Sequence, residues 1–230
     1  MKIDIWSDIV CPYCYLGKRR LEAALEQFEH RDQVDVVWHS FELDPYAPAV
    51  SDERTPEMLA RKYGIPLAQA RASQRALEQQ AAAVGLEYHL ETTRTGNTFD
   101  AHRLIHLSAT KGLAGEAQER FMHAYFTDNE PIGDHETLVR LATAIGLREA
   151  RVREVLAGDE FADAVRTDQA TAREYGARGV PFFVLADAVG ISGAQPVELF
   201  RRALDQAWAS THPLQLVTDS AGGADDICAV

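Results

Sequence analysis

Residues 1–14 read MKIDIWSDIVCPYC, and the reading of this stretch decides the fold. Ile3 and Ile5 alternate with polar neighbours, the period of a half-buried strand, so residues 2–6 are predicted to be one. Ile9-Val10 lead from it to Cys11-Pro12-Tyr13-Cys14. Helix signals follow at once: Leu21, Ala24, Leu25 and Phe28 recur at i, i+3, i+4 and i+7. A cysteine pair is thus set between a strand and a helix N-terminus. The first helical turn offers unpaired N–H groups and the positive end of the helix dipole. Pro12 suits the first helical position, where no N–H is needed. A thiolate at Cys11 is then favoured, and the thiolate is the reactive form.

The spacing supplies the partner. Residues i and i+3 on a helix share a face, with Cβ atoms roughly 5–6 Å apart. A disulfide wants roughly 3.5–4.5 Å, a small adjustment. Cys14 is therefore placed to attack a mixed disulfide at Cys11 and release the bound partner. Zinc needs about four ligands. The only other cysteine is Cys228, so no metal site is expected. His102 and His106 form an i, i+4 pair whose plain reading is a helix face.

Working outward, Val34 to Leu43 (VDVVWHSFEL) is apolar on both faces and reads as a central, doubly covered strand ended by Asp44-Pro45. From Pro56 to about Gly158 the pattern is helical, including the Ala- and Gln-rich run from Leu67 to Val84. A helix from about Glu160 to Tyr175 stops at Gly176. Strand signals return at Val180–Leu185 and Ala188–Ser192. A last helix from near Pro196 carries Val197, Phe200, Leu204, Ala207 and Trp208 on one face. The first βαβ unit implies two parallel strands and the last two strands a hairpin. The expected fold is α/β: a mixed four-stranded sheet flanked by helices, with an inserted all-helical subdomain. The boundaries are 1–53 and 159–210 for the core, 54–158 for the insert and 211–230 for a polar tail.

Gly179-Val180-Pro181-Phe182 is the second candidate element. A proline at the head of an apolar strand cannot donate to a ladder. It is either an ordinary trans strand-start proline or a cis bond in a tight loop beside the cysteines.

Together these residues resemble the DsbA family of thioredoxin-fold oxidoreductases, and its FrnE-like cytoplasmic branch in particular. The segments that carry the resemblance are Asp8–Cys14, Phe41–Pro45, Asn97–Leu104 and Gly179–Phe183. It implies a thioredoxin-like core and a cis Val180–Pro181 bond. It also implies dithiol–disulfide exchange, with Cys11 and Cys14 catalytic and Pro12, Tyr13, Val180, Pro181, Phe99, His102 and Arg103 as substrate-contacting candidates. Tyr13 stands where DsbA has histidine, so DsbA's strongly oxidising character is not expected to transfer unchanged. The Pro-Tyr dipeptide is that of glutaredoxins.

Partners are expected to be protein thiols and disulfides or glutathione, with no cofactor beyond the redox-active cysteines and glutathione as a conceivable co-substrate. A net charge of −12 argues against nucleic acid. No apolar run approaches the roughly 18 residues of a membrane span. The acidic start, with no signal-like segment, points to the cytoplasm. A homodimer is compatible with the sequence. Two rivals stay open: a glutathione-dependent transferase or isomerase of the kappa-like branch, which typically has serine at the position of Cys11, and a peptide-binding, chaperone-like protein. Cys228 is a spare tail thiol or a third exchanging one.

Overall fold

The computed structural model describes residues 1–212. Cys228 and the tail lie outside them. Strand β1 (Lys2–Ser7) leads through Asp8–Cys11 into helix α1 (Pro12–Glu26), and β2 (Asp35–Ser40) returns parallel to β1, with Ile5 paired to Trp38. Six helices follow: α2 (Thr55–Tyr63), α3 (Leu67–Ala82), α4 (Phe99–Ala109), α5 (Ala114–Phe126), α6 (His135–Ala144) and α7 (Glu149–Ala157). The chain closes with α8 (Ala162–Glu174), the hairpin β3 (Phe182–Leu185) and β4 (Val189–Ser192), and α9 (Val197–Thr211). The sheet order is β2-β1-β3-β4, with β3 antiparallel to both neighbours. This is the mixed four-stranded thioredoxin-like sheet with a helical insertion that the sequence predicts.

One expectation is corrected. β2 is an edge strand, not a central one, and is shorter than Val34–Leu43. Its apolar faces report what lies above and below it, not what lies beside it. α8 packs on one side and α5 on the other, so both faces need apolar residues although one lateral edge carries no strand.

Side chains of β1 alternate between two environments. Ile3 and Ile5 join Phe183, Leu185 and Ile191 under α1 and α9, where Leu21, Ala24, Phe200 and Leu204 cover them. Trp6 points the other way, against Ala172 of α8 and Val184. The third and largest apolar cluster joins the insert to the cysteine loop. Ile9, Cys11, Cys14, Tyr15 and Leu16 pack with Leu77, Leu104, Phe121, Phe126 and Leu138. Polar ties reinforce this junction: Glu119 of α5 accepts hydrogen bonds from Tyr15, Lys18 and Arg19 of α1. Burial alone would raise the Glu119 pKa, but the Arg19, Lys18 and Tyr15 donors outweigh it and hold it down to about 2.

A second polar network pins α8 to the other face. His39 of β2 lies 2.8 Å from Asp168 Oδ1 through Nδ1 and 2.7 Å from Asp4 Oδ1 through Nε2. Only an imidazolium donates from both nitrogens. Trp6 stacks on His39 at 4.5 Å. Burial pulls the His39 pKa down, but its bonds to Asp168 and Asp4 more than offset this, so it ends above 6.5. Asp168 moves the opposite way: burial would raise it, and His106, His39 and the Ser40 N–H bring it well below the carboxylate range.

A raised histidine pKa means that folding takes up a proton. The His39 contribution is therefore complete below about pH 6.5 and is lost as pH rises through the folded-state value. The midpoint of chemical denaturation is expected to fall as pH climbs above neutral, and to flatten over that range in His39→Gln. Asp168→Asn is expected to cost about 1–3 kcal/mol at neutral pH, because it leaves a half-buried imidazolium short of a partner.

Candidate active site

Cys11 occupies the N-cap of α1, with extended backbone (φ −89°, ψ 110°), and Pro12 opens the helix. No acidic side chain lies in the first turn to offset the helix dipole. Two backbone bonds shape the loop: Cys11 N–H to the Asp8 carbonyl at 3.1 Å, and Cys14 N–H to the Cys11 carbonyl at 3.0 Å. Tyr88, from the segment after α3, donates to the Pro12 carbonyl at 2.8 Å and anchors the motif to the insert. Both cysteines are unbridged.

The Val180–Pro181 bond is cis, as the resemblance implies. The Val180 carbonyl oxygen lies 3.5 Å from Cys11 Sγ, close enough for the thiol to donate to it. Gly193 N–H bonds the Pro181 carbonyl at 2.8 Å and fixes the far side of the loop. A helix interior normally disfavours glycine by about 1 kcal/mol against alanine. Gly17 of α1 is explained by this loop: a Cβ there would stand 3.1 Å from Pro181 Cγ and 3.2 Å from Phe183 Cζ.

Cys11 is 4% exposed and Cys14 2%, a difference too small to assign roles. Burial raises the Cys14 thiol well above 9.0, and the neighbouring Cys11 adds to this, while the Asp8 N–H and the Ser7 hydroxyl pull the other way.

The remaining sequence candidates are scattered. Tyr13 is half exposed and Pro12 partly so, on the outer rim of the motif. Phe99 lies under the guanidinium groups of Arg103 and Arg166. His102 is buried, with Nε2 3.4 Å from Oδ1 of the fully buried Asp8. Arg103 is buried too, its guanidinium committed to Asp100 and to the carbonyls of Val155, Gly158 and Glu160. Neither side chain faces solvent; Arg103 clamps the α7–α8 loop.

Several polar groups around the motif escape the sequence reading. Asp8 also accepts from the Leu43 N–H at 2.8 Å. Glu42, held above its usual range mainly by burial, accepts from Gln169 at 2.9 Å. Ser7 accepts from Gln118. The adjacent polar Ser7 and Asp8 at the end of β1, where the alternation of β1 breaks, are a visible signal; Gln118, beside Glu119 and Arg120 on α5, carries none. Among the described residues, no group of three or more His, Cys, Asp or Glu side chains is placed to hold a metal. No helix there is long and apolar enough to cross a membrane. An open cleft of about 730 Å³ lies away from the cysteines, along α1, β2 and α5, lined by Leu21, Leu25, Val36 and Trp38.

Comparison with known proteins bears out the family and the fold. The family model of the DSBA-like thioredoxin domain matches residues 2–205. The crystal structure of SCO1869 from Streptomyces coelicolor, a probable DsbA oxidoreductase, is 46% identical, with a TM-score of 0.89, over 100% of this chain and 99% of that one. YwbO of Bacillus subtilis (strain 168), an uncharacterized protein, is 27% identical over 88% of this chain and 94% of its own. The cytosolic disulfide reductase DsbM from Pseudomonas aeruginosa, solved with GSH, is 15% identical with a TM-score of 0.62, over 90% of this chain and 99% of that one. This last similarity is one of fold.

Gly17→Val is expected to push the Pro181 ring and with it the Val180 carbonyl. Denaturant titration is expected to show a loss of about 1–3 kcal/mol, the cost of overpacking a filled site. Unchanged stability would show that the loop yields freely and does not constrain Cys11.

Proposed function

This chain belongs to the DSBA-like thioredoxin domain family, whose DsbA members are thiol–disulfide oxidoreductases, and on that premise we propose that Cys11 and Cys14 are its exchanging pair. Cys11 is the nucleophile and Cys14 the resolving thiol. The observation that carries this is the position of Cys11: at the N-cap of α1, with its sulfur 3.5 Å from the Val180 carbonyl of the cis-proline loop.

The cycle conserves electrons. The Cys11 thiolate attacks a substrate disulfide, forming one S–S bond and releasing one thiolate. Cys14 then attacks Cys11 in the mixed disulfide, releases the second substrate sulfur as a thiol and leaves the protein oxidised. The reverse sequence oxidises a dithiol substrate. The Val180 backbone borders Cys11 and offers an extended peptide an edge to pair with, in the manner of strand addition. Pro12 and Tyr13 supply an apolar rim.

Protein disulfides and glutathione disulfide are the proposed substrates. The glutathione part is supported by the glutaredoxin-like Pro-Tyr dipeptide and by the likeness of fold to DsbM, which was solved with GSH. The cysteine at position 11 weighs against the transferase reading, in which serine is typical there.

Cys11→Ser is expected to abolish exchange with glutathione disulfide. Cys14→Ser is expected to accumulate a Cys11–glutathione adduct, because attack continues while resolution stops. Intact-mass spectrometry of both variants reads the outcome. An adduct on Cys14 in Cys11→Ser, with none in Cys14→Ser, would reverse the roles. Transferase activity retained by Cys11→Ser would replace the proposed function.

A further inference from the structure

Tyr88 lies in the insert, between α3 and α4, and is 5% exposed. Its hydroxyl donates to the Pro12 carbonyl at 2.8 Å, a bond that joins residues 76 positions apart. The ring that carries this hydroxyl is held from the insert side. It stacks on Phe126 of α5 with centroids 4.7 Å apart, and the N–H of the next residue, His89, donates to the Phe126 carbonyl at 2.8 Å. Burial raises the Tyr88 phenol well above its ordinary value, so it keeps its proton and remains a donor. The Pro12 carbonyl is one half of an amide whose other half is the Tyr13 N–H. At an N-cap, the side chain accepts from the second or third N–H of the helix, here those of Tyr13 and Cys14. The Cys14 N–H is already bonded to the Cys11 carbonyl at 3.0 Å, and Pro12 has no N–H. The Tyr13 N–H has no partner among the described residues, and so is the donor left for the Cys11 sulfur.

We propose that Tyr88, by its hydrogen bond to the Pro12 carbonyl, strengthens the Tyr13 N–H as a donor to the Cys11 thiolate. The inference deepens the exchange reaction proposed above and rests on it. Tyr88 acts through the Pro12–Tyr13 amide and is a positioning residue.

A donor on a carbonyl oxygen draws electron density out of its amide, and the N–H of that amide becomes a better donor in turn. Hydrogen bonds linked through one group reinforce each other by about 10–30%. The gain matters where charge is poorly solvated, and Cys11 belongs to the apolar cluster that joins the cysteine loop to the insert. Two consequences share one cause. The thiolate is favoured over the thiol, which populates the nucleophile. The reduced protein is favoured over the oxidised one, because a disulfide carries no charge for the N–H to stabilise, and this makes the disulfide the stronger oxidant. Tyr88 belongs to the insert, so the insert has a part in setting the reactivity of a motif that lies in the core.

The Cys11 thiolate is read from the pH profile of its alkylation by iodoacetamide. The full-length chain carrying Cys14→Ser and Cys228→Ser leaves it as the one thiol. In that background Tyr88→Phe, which keeps the ring, is expected to lower the thiolate-to-thiol ratio at fixed pH about two- to fourfold, the share of a charge-assisted hydrogen bond that such reinforcement supplies. The profile then moves to higher pH. A fluorinated tyrosine placed at position 88, a stronger donor of nearly the same shape, is expected to move it to lower pH. In the chain with Cys11 and Cys14 both present, Tyr88→Phe is expected to shift the glutathione mixture at half-oxidation toward the reducing side by a similar factor. A tie that is only structural lowers stability and leaves the alkylation profile where it was. An unmoved profile in folded Tyr88→Phe therefore overturns the proposal. An unmoved profile with the fluorinated tyrosine overturns it as well, and decides the matter alone if Tyr88→Phe does not fold. Alkylation needs no disulfide substrate, so the two failures are distinguished: a parent protein that glutathione disulfide does not oxidise refutes the exchange reaction, while the profile still judges Tyr88.

Discussion

Negative charge on sulfur is expensive away from water, and this constraint organises the centre of the molecule. Disulfide exchange needs a thiolate, yet both cysteines lie in the apolar cluster that joins the cysteine loop to the helical insert. At Cys11 the protein offers a backbone dipole instead of a countercharge. Cys11 takes the N-terminus of α1, whose first turn holds no carboxylate. Fixed dipoles of this kind need no reorganisation when charge arrives.

True ion pairs are placed elsewhere and do a different job. The His39–Asp4–Asp168 network ties α8 to the sheet, and the Glu119 network ties α5 to α1. Each joins elements far apart in sequence, and each is partly open to solvent at its margin. The cis-proline loop adds a steric counterpart: Gly17 allows α1 to approach Pro181 closely enough for the Val180 carbonyl to meet Cys11.

The sequence exposed those features that depend on local order. The strand–Cys11–Cys14–helix succession, the helical stretch after Pro56 and the terminal hairpin are all written as periodicity or as short motifs. Pro181 could be assigned a cis bond only through its company with the cysteines. Lateral strand order was less legible: β2 looked central because its faces are apolar, and facial cover by helices says nothing about which strands lie alongside. The polar interior was least legible. His102 and Arg103 were expected as contacts for substrate, whereas the fold buries one against Asp8 and spends the other on the α7–α8 loop. Gln118 finds its partner in Ser7, 111 residues away, a pairing that only the folded chain reveals.

The shared packing of cysteines and insert has a thermodynamic corollary. Reduction, oxidation and unfolding form a closed cycle, so any residue of the insert that stabilises one redox form more than the other shifts the reduction potential by the same free energy. For a two-electron couple about 1.4 kcal/mol corresponds to about 30 mV. Leu104, Phe121 and Leu138 touch this cluster without taking part in the chemistry. Their packing is therefore a means by which sequence drift in the insert retunes the oxidising power of the centre, while every atom of the Cys11–Cys14 motif stays the same.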